Sequence, residues 1–107
     1  MSAESPSRKA AEIRQQTCDL IADFLKVEVQ ISTTFAEAAL NSGRDSPKRI
    51  RNQAAARKGY DTICQYLGKY SLSPSPDFKE ALDRLKTALK DLGEADLSDY
   101  PRSSQQP

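Results

Sequence analysis

Cys18 and Cys64 are the only cysteines of the chain, 46 positions apart, and histidine is absent. Protein zinc is normally held by closely spaced Cys and His ligands, so we expect no metal site and no cofactor. Without histidine there is no Ser-His or Cys-His pair to activate a nucleophile, which leaves carboxylates, Lys or Tyr for acid–base work. Tyr60, Tyr66 and Tyr70 lie near Asp61 and Lys69 in sequence. Helical tyrosines, however, commonly pack through the ring and send the hydroxyl to water. No glycine-rich phosphate loop occurs, and no carboxylate pair stands apart from ordinary surface charge. The expectation is a protein without catalytic residues, not an enzyme. The cysteines then read as small buried hydrophobes in a reducing compartment, with a single bridge between them as the alternative.

Charge is the other chemistry on offer. The 16 basic and 15 acidic side chains almost cancel, yet they are unevenly placed. Residues 1–43 hold four basic and six acidic groups, residues 44–74 seven and two, and residues 75–107 five and seven. Arg44, Lys48, Arg49, Arg51, Arg57 and Lys58 crowd the start of one predicted helix, where the positive end of the helix dipole disfavours them. Pairing with the acidic flanking segments is one explanation. The other is a site for an anionic partner, whether nucleic acid, anionic lipid or acidic protein. The near-neutral balance and the absence of a helix-turn-helix spacing argue against a sequence-specific DNA reader.

These groups must be positioned by a small scaffold. At 107 residues and 11.8 kDa the chain is one domain at most, with a modest core. Leu, Ile, Val and Phe number 20, a low fraction, so they must be well placed if the chain folds. Three segments show helical periodicity, and each opens on the same dipeptide: Ser5-Pro6, Ser46-Pro47 and Ser75-Pro76. The serine is an N-cap acceptor, and the proline occupies the first helical position, where no N–H is needed. Gly43, Gly68 and Gly93 follow or lie near the ends of the runs as candidate left-handed stops. The predicted helices cover about 6–41, 47–69 and 76–92, with residues 1–5 disordered and 94–107 a flexible tail. Short connections favour antiparallel neighbours, so the expected fold is all-α: an antiparallel three-helix bundle with a long first helix.

The pattern also predicts which faces are buried. In the first helix Ile13, Leu20, Phe24, Val27, Ile31, Phe35 and Ala38 recur at helical spacing and read as the core-facing stripe, widened on one side by Ile21 and Leu25. The second should bury Ile50, Ala54, Ala56, Tyr60, Ile63, Cys64, Leu67 and Tyr70, with Gly59 and the alanines allowing close approach of another helix. Phe78, Leu82, Leu85, Leu89 and Leu92 make the clearest stripe, in the third. The first helix outruns the second, so part of it lacks cover within the chain. Val29 and Leu40 point away from the predicted stripe, and Val29, Phe35, Ala39 and Leu40 become the expected docking residues for a protein partner or a second copy. No apolar run approaches the roughly 18 residues needed to span a bilayer, nor is there a leader-like segment at the start, so the expected location is cytoplasmic.

Overall fold

The computed structural model describes residues 6–97, in which three helices follow one another: α1 (Pro6–Leu40), α2 (Pro47–Lys69) and α3 (Pro76–Asp91). The two described serine caps form as their chemistry requires. Ser46 and Ser75 have extended backbones, and their hydroxyls accept from the N–H of Arg49 at 3.0 Å and of Phe78 at 3.2 Å. Pro47 and Pro76 occupy the first turns. The Ser5 cap and the ends expected to be disordered, residues 1–5 and 98–107, lie outside the described residues.

The helix stops divide differently from expectation. Gly93 does take a left-handed conformation, with φ +95, and the Glu94 N–H reaches back to the Leu89 carbonyl at 2.9 Å. Gly68 stays inside α2. Ser71, at φ 51, takes the left-handed position there, and the Leu72 N–H closes the turn on the Leu67 carbonyl at 3.1 Å. Leu72 packs against the core beneath it, which holds the turn in place of a glycine.

The contacts give the topology. Phe24 meets Tyr66 and Ser32 meets Gly59, so α2 runs antiparallel to α1. Val29 shares a groove with Phe78 and Leu40 shares another with Ala88, so α3 runs parallel to α1. The molecule is an up-down-up three-helix bundle. Its core joins Leu25, Val29, Ala36 and Ala39 of α1 to Ala56, Tyr60, Ile63 and Leu67 of α2, and to Phe78, Leu82, Leu85, Ala88 and Leu89 of α3. α3 buries the predicted stripe.

α1 does not. The residues that enter the core are Leu25, Val29, Ser32, Ala36 and Ala39; of the predicted stripe only its widened side, Leu25 with Ile21 packed beside it, is taken in, and the line from Ile13 to Phe35 is left outside. The reason is closeness of approach. Ser32, Ala36 and Ala39 are small, and opposite them α2 presents Ala56 and Gly59, all buried, so the two backbones come together without room for Ile31 or Phe35 between them. Among the described residues Ser32 is the one buried polar side chain of the core. In α2, Ile50 and Ala54 are likewise exposed rather than buried, and Tyr70 is half-buried.

The segment after α3 also departs from expectation in its first residues. Glu94 accepts from Gln53 at 2.6 Å and from Arg57 at 2.9 Å, and the same guanidinium reaches the carbonyls of Ala95 at 2.9 Å and Asp96 at 3.4 Å. Residues 94–97 are therefore docked on α2, with Leu97 packed against the core. Residues 98–107 lie outside the described part.

Candidate interaction surface on the first helix

At about 100° per residue, Ile13, Leu20, Phe24, Val27, Ile31 and Phe35 fall along one line of α1, roughly 120–160° around the helix from Leu25, Val29 and Ala36. All six remain between 37 and 71 % exposed. The intervals are seven, four, three, four and four residues, the spacing of a seam that another helix can follow. Thr17 and Thr34 lie between them, and each hydroxyl donates to a carbonyl of its own helix, Ile13 at 3.0 Å and Gln30 at 3.0 Å. With the hydroxyls tied back, these threonines do not break the seam with an unmet polar group.

The surface continues onto α2. The Tyr66 ring lies 5.7 Å from that of Phe24 and 5.9 Å from that of Tyr70, and the Lys69 ammonium sits 5.5 Å from the Tyr70 ring centre. Tyr66 is thus at the edge of the core, as its position on the helix implies, and borders the exposed line. Together the six α1 residues expose roughly 600 Å² of apolar surface, at the top of the range usual for the largest such patch on a monomer.

The four residues expected to dock a partner do not share a surface. Val29 and Ala39 are part of the core, because α3 and α2 cover the face of α1 that carries them. Phe35 belongs to the exposed line, while Leu40, exposed as well, lies on the side of α3 in a groove with Ala88 and Asp91. The rotation of α1 is the cause: exchanging the covered and uncovered faces puts Val29 and Ala39 inside and leaves Phe35 outside, while Leu40, at the end of the helix, stays exposed beside α3.

The basic cluster is divided too. Arg57 is committed to the fold, bonded to Asp61 at 3.1 Å and to Glu94 at 2.9 Å. Burial alone would lower its pKa, but the hydrogen bonds and charges of Asp61 and Glu94 outweigh this and raise it. Arg44, Lys48, Arg51 and Lys58 are exposed and Arg49 is half-buried. No ion pair among the described residues involves any of these five.

The nucleophile-like groups have little reactive character. Burial pushes the Tyr60 phenol well above its ordinary range and raises the Cys64 thiol, and the two are hydrogen-bonded to each other. A raised thiol stays protonated at neutral pH and is a poor nucleophile. Both cysteines are free. Among the described residues no three His, Cys, Asp or Glu side chains gather as a metal site, and no helix is long and apolar enough to cross a membrane. The groove between α1 and the α2–α3 turn is lined by Ala22, Leu25, Leu67, Leu72 and Phe78 with Lys26 as its one charged group. Compared with family models, curated proteins and solved structures, the chain matches none.

Proposed function

We propose that the protein is a helical interaction module that docks a partner helix along the exposed line of α1. One observation carries this reading: six large apolar side chains, in register with one another, lie outside a core that is already closed by the opposite face of the same helix. A surface of this size and regularity is costly to leave in water and is the usual mark of a binding face. A photoreactive amino acid placed at Ile31 in the full chain, in the cells that make it, tests the reading. The expected result is a discrete cross-linked adduct from position 31 and none from Thr87, which is exposed on α3. Equal or absent cross-linking from the two positions would overturn it.

A second reading rests on a different observation, the five cations near the start of α2 that have no acidic partner among the described residues. Here the partner is anionic and the contact weakens with salt, because clustered Lys and Arg gain affinity by releasing counterions. The chain would then be held on immobilised heparin at about 50 mM salt and lose that retention when Lys48, Arg49 and Arg51 are changed to Gln. Free passage of the parent chain at that salt removes this reading and leaves the first untouched.

A further inference from the structure

We infer that the occupant of the exposed line is a second copy of this chain, running antiparallel, with the N-terminal third of each α1 laid along the middle and C-terminal part of the other. The inference rests on the proposed docking role of that line and names its partner.

The two halves of α1 are mismatched within one chain. α2 reaches α1 only as far as the region of Phe24, where Tyr66 stands. Toward the N-terminus every described residue from Lys9 to Thr17 is exposed, including Ile13, and Leu20 is the most exposed of the large apolar residues. One part of α1 is thus a helix without a bundle, and the other part is a bundle with an uncovered seam. A two-fold axis near residue 22 joins them. Ile13 then faces Ile31 of the second copy, Thr17 faces Val27, and Leu20 faces Phe24. The two three-helix bodies then stand toward opposite ends of the paired helices.

Charge favours the same pairing. Lys9 and Asp23 flank one side of the seam, with Glu37 farther round toward α3, where its carboxylate stands 3.8 Å from Arg84, and Arg14 and Glu28 flank the other. A parallel pair would set Lys9 against Arg14 and Asp23 against Glu28, both repulsive and both occurring twice. The antiparallel pair sets Arg14 against Glu28, attractive and occurring twice, with Lys9 on the side of Glu37. Only Asp23 meets its own copy, and Lys26 stands 4.0 Å from that carboxylate in the same chain.

Area allows it. Complete cover of roughly 600 Å² on each of two copies sets a ceiling of about 1,200 Å² from these side chains, so flanking groups must also be buried to reach a standard specific interface. The arrangement is isologous, so it closes at two copies and does not propagate into a filament.

Sedimentation equilibrium of the full chain over about 1–200 µM tests the inference, with concentrations spanning the ordinary micromolar range of such interfaces. The expected species has twice the mass of 11.8 kDa. Leu20→Asp should weaken association by at least about 100-fold, because it puts a charge at the centre of the seam. Arg14→Glu and Glu28→Lys should each weaken it by about tenfold at low salt, and the chain carrying both should recover parent affinity to within about threefold. Orientation is read from spin labels on Ala11→Cys with Cys18 and Cys64 changed to serine. The antiparallel pair places the two labels about 40 Å apart at 1.5 Å rise per residue, whereas a parallel pair holds them at the same height on the outer faces, within about 25 Å. A strict monomer, close labels, or failure of the double charge reversal to restore binding would each overturn the inference. The cross-link from Ile31 separates the two levels: an adduct to a different polypeptide removes the second copy and keeps the docking role, and no adduct removes both.

Discussion

Placing an alanine at Gly59 will destabilise the bundle by about 1–2 kcal/mol, although the same change in an open helix would stabilise it by about 1 kcal/mol. A Cβ built at Gly59 falls 1.8 Å from the Ser32 Oγ, 2.9 Å from the Ser32 Cβ and 3.2 Å from the Glu28 Oε2. The hydroxyl can turn to another rotamer, but the Ser32 Cβ is fixed to the α1 backbone and is buried. The helices must therefore move apart, and every contact along Ser32, Ala36, Ala39 and Ala56 loosens with them. Gly59→Val adds two more carbons at the same spot and will cost more than the alanine. Urea unfolding followed by circular dichroism measures both. The mechanism is specific to one pair, so Ser32→Gly in the Gly59→Ala chain should be at least about 1 kcal/mol better than the sum of the single effects. An increase in stability for Gly59→Ala alone would show that α1 and α2 do not meet as closely as described.

That contact also shows how much of the molecule was legible from the residues. The Ser-Pro openings at 46 and 75 announce their helices because cap chemistry is local, and the Phe78-to-Leu92 stripe announces a buried face because α3 has only one apolar side. Gly59 and its alanines signal close approach, but nothing in sequence names Ser32 as the residue approached. α1 is the harder case, since it is apolar on two faces. One carries the large residues from Ile13 to Phe35, the other Leu25, Val29 and several small ones. Size favours the first face as core, whereas fit against a glycine and alanines selects the second. The short α3 of 16 residues and the alanine-rich first half of α2 carry the available clue, because two such partners cannot cover both faces of a 35-residue helix. Arg57 is obscured for a different reason. Its partner Glu94 lies 37 positions away, so the residue looks like a member of the surface cluster when it is the clamp for residues 94–96. The candidate docking residues Val29 and Ala39 follow the rotation of α1 into the core, and Phe35 remains on the exposed line.

Everything at this surface depends on the rotation of α1, because the docking face exists only if the large-residue stripe is outside. Val29 and Ile31 are two positions apart on the same helix, 3 % and 46 % exposed. Aspartate at Val29 must bury a carboxylate among Phe78 and Leu85 or force it to stay protonated, and either costs several kcal/mol out of the roughly 5–15 kcal/mol that hold a small domain together. Aspartate at Ile31 stays in water and disturbs folding of the single chain by less than about 1 kcal/mol. Circular dichroism with urea unfolding of the two variants at low micromolar concentration is the decisive measurement. The rotation described here predicts loss of cooperative unfolding and of most helix content for Val29→Asp, and a cooperative transition with the parent's denaturant dependence for Ile31→Asp. The reverse outcome, a folded Val29→Asp chain and an unfolded Ile31→Asp chain, would put the stripe back in the core and leave no surface to dock on.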